Sequence, residues 1–494
     1  AKEQAIAALV QLGDERTRAI LRAMQDGNLH YRKSDGKVVI VADDTEGYAL
    51  TDPLTGVALG KAGKRDTKKI AINNALRNVL REAGARLSLS SQHADVRLAA
   101  VEELTGNLDA AGIALLESAR ATEQDDDVAA AMATALALAQ LKSADAAAQR
   151  QAVEYLQGSL LPSVRNELTA LTENKGAATD VRAAARRALA GIEGKLKLYA
   201  LGETLFFGLS LGSVLLLAGI GLAITFGVMG VINMAHGELI MLGAYTTYLV
   251  QQAMPQHLEY SMLVAIPAAF IVAGAFGIAI ERGVIRFLYG RPLETLLATF
   301  GISLVLQQLV RTTISAQNVT VANPGWMSGS WQINPALALT YNRLYIVLFT
   351  LLVFAALLLL LKKTALGLHV RAVAQNRPMA RAMGIRSDWV DALTFGLGSG
   401  IAGVAGVALS QLTNVGPNMG QAYIIDSFMV VVFGGVGNLW GTLVGAFSLG
   451  VANKFLEPYS GAVLAKILVL IFIILFIQKR PRGLFPQKGR AAEG

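Results

Sequence analysis

Long apolar runs follow one another from Thr204 to Ile477, each near the ~20 residues that a helix needs to cross ~30 Å of hydrocarbon. In lipid, backbone polar groups have to be satisfied inside the protein, so such a region folds as spanning helices, and a single soluble domain is excluded. Whole-chain averages, 53% hydrophobic residues and a mean hydropathy of +0.46, hide this, because the residues before about Lys197 are water-soluble in character. About nine spans are expected, near residues 204–226, 235–252, 261–280, 293–313, 344–361, 389–411, 423–436, 441–456 and 461–477. The expected fold class is therefore mainly α, a polytopic helical membrane protein with some broken helices, preceded by a soluble amino-terminal part.

The net charge of +8 would suggest a nucleic-acid partner if its location were ignored, but much of it lies in loops beside the spans, and no nucleic-acid partner is expected. Arg282, Arg286 and Arg291 follow the third span, and Lys362, Lys363, Arg371, Arg377, Arg381 and Arg386 the fifth. Lys479, Arg480, Arg482, Lys488 and Arg490 follow the last, whereas residues 253–260, 314–341 and 412–422 contain neither Lys nor Arg. The positive-inside rule then puts the three basic segments and the carboxyl terminus in the cytoplasm. An odd number of spans leaves the amino-terminal domain outside. The chain opens at Ala1 rather than Met, which gives the same expectation by way of a removed signal peptide. In a Gram-negative cell that means an inner-membrane protein with a periplasmic amino-terminal domain. If 423–456 is one bent span, the parity fails. The absence of Cys excludes disulfides, haem-thiolate and iron–sulfur chemistry.

Residues 1–90 read as a small α+β segment: KVVIVADDTEGYALTDPLTGVAL as two or three short strands, and KKIAINNALRNVLREAGARL as an amphipathic helix. GVALGKA at Gly56 superficially resembles a phosphate-binding loop, but it is one residue short and Ala62 stands where Ser or Thr would hold Mg²⁺. Residues 91–197 repeat an Ala-rich helical pattern, as in DVRLAAVEEL and DVRAAARRALAGI, with Asp95, Asp127 and Asp180 placed to cap three of the helices. Stacked helix pairs resembling HEAT repeats and a plain helical bundle both fit. Five scattered His propose no metal site, and no catalytic constellation stands out.

Residues 198–494 form the expected transmembrane domain. Asn233, His236 and Glu238 lie in FGVMGVINMAHGELIMLGAY, between the first two spans. A charge in hydrocarbon costs about 2.5–3.5 kcal/mol on insertion scales, so Glu238 faces a pathway or partner, or else the segment is a hydrated interfacial turn. Asp426 poses the same choice. Gln307, Gln411 and Asn414, near span ends, offer hydrogen bonds to a small polar solute, and Asn438 falls in the Gly-punctuated VVVFGGVGNLWG, the kind of broken segment where transporters place their sites. GLGSGIAGVAG matches a dinucleotide fingerprint only by accident, since small residues four apart serve close helix packing. The cytoplasmic loop 362–388 reads as a short helix broken at Pro378 with a second turn ending at Gly384, a knob suited to a cleft on a cytosolic partner. No Walker motif occurs, so any ATP belongs to another chain, and this one is expected to be no enzyme and to bind no cofactor.

GVINMAHGELIMLGAY and LGLHVRAVAQNRPMARAMGI, followed by LTFGLGSGIAGVAGV and VVVFGGVGNLWGTLVGA, closely resemble permease subunits of branched-chain amino-acid-type ATP-binding-cassette importers, over Glu203 to Glu493. Within that family NPALALTYNRLY, IIDSFMVVVFGGVGNLWG and the RPRGLFPQKGR tail look most like the urea-type permease, which commonly carries a long extracytoplasmic amino-terminal domain. The resemblance implies urea import by alternating access. It also implies a second homologous permease subunit, two cytoplasmic ATPase subunits holding ATP-Mg, a periplasmic substrate-binding protein and surrounding membrane lipid. Carried onto this chain, the coupling segment is 372–385, with Gln375, Asn376, Ala380 and Gly384 at matching positions and Arg371, Arg377 and Arg381 beside them. A branched-chain or other amino-acid permease, a passive urea channel, and a scaffold whose soluble domain does the main work are the competing readings.

Overall fold

The computed structural model describes residues 5–6, 8–9, 15–44, 47–106 and 108–486, so Lys488 and Arg490 of the basic tail lie outside the described residues. The chain divides into two compact units, Ala1–Leu196 and Lys197–Gly494.

In the first unit, α1 (Glu15–Asp26) precedes an antiparallel five-stranded sheet of order β4-β3-β2-β1-β5. The strands are β1 (Leu29–Arg32), β2 (Val38–Asp44), β3 (Gly47–Thr51), β4 (Ala58–Ala62) and β5 (Thr67–Lys69). Strand β2 alternates as its sequence dictates: Val39 and Val41 pack with Leu50 of β3, while Ile40 turns to the opposite face, toward the cluster of Leu21, Leu29 and Leu80. Strands β1 and β5 are too short and polar to show alternation, and each exists by pairing, β1 between β2 and β5, and β5 with β1 alone, His30 opposite Lys69. GVALGKA lies largely in edge strand β4 and forms no phosphate cradle.

Six helices follow: α2 (Asn74–Leu89), α3 (Ala94–Thr105), α4 (Ala110–Arg120), α5 (Asp126–Gln140), α6 (Ala146–Leu156) and α7 (Pro162–Glu173). Their caps correct the sequence reading. Asn73, Asp109, Asp125 and Asp145 accept the free N–H groups, while Asp95, Asp127 and Asp180 sit inside first turns, where they meet the positive end of the helix dipole instead. Arg97 clamps Glu123 at 2.7 Å, joining α3 to the α4–α5 turn. Two cores form, one around Leu116 and Met132, the other around Leu156, Leu168 and Ile192.

Helix α8 (Thr179–Met229) supplies residues to both units. The second unit continues with α9 (His236–Ala253), α10 (Leu258–Gly283), α11 (Pro292–Thr313), a hairpin of β6 (Ser330–Asn334) and β7 (Leu337–Thr340), and α12 (Tyr341–Lys363). Then come α13 (Ala365–Gln375), α14 (Arg377–Ala382), α15 (Ser387–Ser410), α16 (Met419–Gly434), α17 (Leu439–Ser460) and α18 (Ala462–Lys479). Among the described residues seven helices are long and apolar enough to span a membrane, which makes this a multi-pass membrane protein. The nine expected segments are all helical, but length and apolarity do not carry a count of nine: α9 spends positions on His236, Glu238 and two glutamines, and α16 stops after 16 residues. It stops because Gly435 turns to φ 107°, and α17 starts separately beyond Gly437.

Helix α15 is the axis of this unit, 89% of its apolar window buried, against 17% for α18. Its glycines explain how: a Cβ on Gly398 would strike the Gly221 carbonyl, one on Gly403 the Ala269 carbonyl, and one on Gly406 the Ile240 carbonyl. The glycine-rich run is thus a packing surface for α8, α9 and α10. After α18 the chain returns to the α16–α17 break, where Leu484 and Phe485 N–H groups reach the Phe433 and Gly434 carbonyls at 2.9 and 3.1 Å.

Candidate functional site

The start of α9 holds a dehydrated polar cluster. Glu238, 1% exposed, accepts hydrogen bonds at Oε1 from Ser303 Oγ (3.0 Å) and Gln307 Nε2 (3.1 Å), both on α11. Its other oxygen, Oε2, is buried without a partner among the described residues. Asn233 Oδ1 accepts the Ala235 N–H at 3.0 Å, and His236 Nε2 donates to the Ala218 carbonyl at 2.8 Å, which leaves Asn233 Nδ2 and His236 Nδ1 buried and unpartnered. Thr299 Oγ1 holds the corner by accepting the Met234 N–H at 3.1 Å. A hydrated interfacial turn does not describe these residues: Asn233 and His236 are fully buried. Unsatisfied polar atoms in such a place each cost ~1–3 kcal/mol, a penalty that a polar solute could relieve by bonding to them.

The structure brings Glu238 and Gln307 together, beside Asn233 and His236, but not the other candidates. Asp426 is 7% exposed and bonds Lys466 Nζ on α18 at 2.9 Å, the ammonium also lying over the Tyr423 ring. Asn438 caps α17 by accepting the Trp440 and Gly441 N–H groups, and its amide donates to the Phe485 carbonyl. Gln411 is buried at the end of α15 against Ser410, and Asn414 is exposed. No hydrogen bond among the described residues joins these to Glu238. Ser303, Thr299 and Lys466 were missed. Lys466 had a signal, being the one charge inside VLAKILVLIFIILF.

The second group lies in the α12–α15 connection. Its break falls at Asn376, whose Oδ1 accepts the Met379 N–H at 3.0 Å, so Pro378 starts α14 instead of breaking α13. Gly384 ends it with φ +86°. Val370, Val373, Ala380 and Val390 make a small core beneath. Three of the arginines turn toward their own chain: Arg371 donates to the Leu361 carbonyl, Arg381 to Ser387 Oγ (2.6 Å) and Asp388 (2.8 Å), and Arg377 to Asp391 Oδ1 (2.8 Å). Asp391 is fully buried. Arg377 also lies over the Tyr289 ring at 4.8 Å, and Tyr289 donates to Glu281 Oε1 at 3.2 Å. Burial above all, and then the Asp391 and Glu281 carboxylates, push the Tyr289 phenol well above its ordinary range, so it stays a donor. The connection is thereby wired to the ends of α10 and α15. What it presents outward is Gln375, Asn376, Met379 and Met383, the last 77% exposed.

Residues 204–477 match the family model described as branched-chain amino acid transport system / permease component. The chain is 32% identical over 292 residues to the high-affinity branched-chain amino acid transport system permease protein LivH of Salmonella typhimurium, covering 57% of this chain and 94% of that one. It is also 32% identical over 297 residues to BraD of Pseudomonas aeruginosa, a protein of the same description, with 58% and 96% covered. A more distant likeness, 26% over 264 residues, joins it to the ribose import permease protein RbsC of Escherichia coli, covering 50% of this chain and 78% of that one. No solved structure matches.

Proposed function

The chain belongs to the family of branched-chain amino acid transport system permease components, and from that premise we propose that it carries a branched-chain amino acid across the membrane as the permease subunit of an ATP-binding-cassette importer. The observation that carries the substrate class is Glu238, whose buried and unpartnered Oε2 suits the α-ammonium group of an amino acid, since a buried carboxylate without a counter-charge is costly. Urea is the second reading. The motif resemblance favours it, and so do the neutral donors nearby, Asn233 Nδ2 and the amide hydrogen of Gln307 that Glu238 does not take, which would offset the desolvation of a small neutral solute.

In this reading a second homologous permease subunit completes the pathway, two ATPase subunits hold ATP-Mg on the cytoplasmic face, and a substrate-binding protein delivers solute from the side of the amino-terminal unit. That unit is read as a HEAT-like stack, periplasmic, with the carboxyl terminus cytoplasmic. Exposed Gln375, Asn376, Met379 and Met383 dock the ATPase, and the Arg377–Asp391 pair carries its movement to α15 as the pathway alternates.

The deciding experiment is uptake of radiolabelled leucine and urea, paired in the same vesicles, by this chain with its companion subunits, with and without internal ATP. ATP-dependent leucine accumulation supports the proposal. ATP-dependent urea uptake that leucine does not compete makes it a urea importer, and urea equilibration without ATP makes it a channel.

A further inference from the structure

A cleft of about 640 Å³ opens where α12 ends, between that helix, α13 and the facing ends of α8 and α17. Its lining is ordered. Ile224 and Leu358 form an apolar wall on the span side, Trp440 stands beside them with its ring edge-on to Phe354 at 5.5 Å, and Lys362, Arg371 and Gln375 form the polar edge. Among the described residues no acidic one lines it. Among the described residues neither cation is neutralised: Lys362 is exposed and forms no ion pair, and the bond that Arg371 makes goes to a backbone carbonyl.

We propose that this cleft binds the headgroup of an anionic membrane phospholipid, with the phosphate between Lys362 and Arg371 and the first acyl carbons against Ile224 and Leu358. The order of the lining is that of the lipid, charge outside and hydrocarbon inside, at the depth where one of the outermost spans leaves the bilayer. Lys at a helix end reaches the headgroup level on its own stem, and Trp is the residue that prefers that level. A soluble nucleotide or phosphate would use the cations but leave the apolar wall wet, whereas basic clefts between spans suit lipid headgroups. Because Arg371 stands on α13, a bound lipid would also brace the connection that bears the docking surface.

The test measures binding and needs no transport, so its outcome is separate from that of the substrate assignment. The full chain is purified with equal amounts of phosphatidylglycerol and phosphatidylcholine and weighed intact by native mass spectrometry. Phosphatidylglycerol should be retained preferentially, and the pair Lys362→Gln, Arg371→Gln should lower that preference roughly tenfold or more, while Lys362→Arg, Arg371→Lys keeps it. Equal retention of the two lipids, an unchanged preference in the Gln pair, or displacement by inorganic phosphate overturns the proposal, the last by showing a soluble-anion site. Should the Gln pair not fold, the unaltered chain still decides. Brominated phosphatidylglycerol should quench the fluorescence lost in Trp440→Phe more than brominated phosphatidylcholine does, and equal quenching overturns the proposal.

Discussion

Arg377 is the residue whose removal says most, because it leaves Asp391 charged at zero exposure. Breaking a buried pair from one side costs ~3–5 kcal/mol, so Arg377→Ala should lower the thermal unfolding midpoint markedly, as light scattering or intrinsic fluorescence would show. Combining Arg377→Met with Asp391→Leu removes the stranded charge and should restore the midpoint, yet ATP hydrolysis should no longer follow substrate addition. Normal coupling in that double variant would mean that the pair only holds the loop in place. At the other site, Glu238→Gln can keep Ser303 and Gln307 as neighbours and should insert normally, but lose uptake of an amine-bearing solute at unchanged expression. Unaltered leucine uptake would reduce Glu238 to a structural bond acceptor. Sequence could single out Glu238 because it is a lone carboxylate at the head of an apolar run. Asp391 escaped notice for the opposite reason, standing three positions after Asp388 where a polar loop enters a span, so that nothing but its burial distinguishes it.

Helices meet here through backbone as much as through side chains, and that makes single glycines unequal. Gly406→Val would drive a branched side chain into Ile240 and Ala244 of α9, and should abolish accumulation of folded protein on size-exclusion chromatography. Gly301→Ala on α11 meets nothing within 4 Å and should be neutral or slightly stabilising in the same assay. In the first unit the Arg97–Glu123 clamp sets a pH dependence. The guanidinium of Arg97, ahead of burial that acts the other way, holds the Glu123 carboxyl below its ordinary value. Its contribution is therefore full above the unfolded value near ~4.3 and disappears as pH falls through the lower folded value. Hydrogen-exchange protection factors in α3 and α5, taken relative to the intrinsic rate at each pH, should hold at neutral pH and fall in that acid range, while Glu123→Gln should show no such step. Seven of the nine expected spans were legible, because hydrocarbon thickness imposes a length that sequence must meet; the count of nine was not. Strands β1 and β5, four and three residues long, were not, because what makes them strands is a pairing across the fold and no pattern within either.

At the scale of the molecule the two units differ in what they share with relatives. The match to the permease family runs over 204–477, and LivH is covered almost entirely by 57% of this chain. A chain lacking residues 1–178 keeps α8 whole and the entire core of the second unit. It should insert and, with companion subunits, retain ATP-dependent uptake measurable in vesicles; loss of uptake with normal insertion would shift the work to the first unit. Hydropathy changes near Lys197, where the second compact unit begins, since a lipid-facing surface needs different residues from the helices before it. The bonds that close the second unit were not readable. Leu484 and Phe485, just past the last span, complete the backbone bonding at the α16–α17 break. A ribosome makes that break some forty or more residues before it makes the clasp, so the joint cannot close until the tail has been made and released. A premature stop anywhere in α18 would leave a protein with most of its spans in place and without the two backbone bonds that seal that joint, a defect that hydropathy does not register.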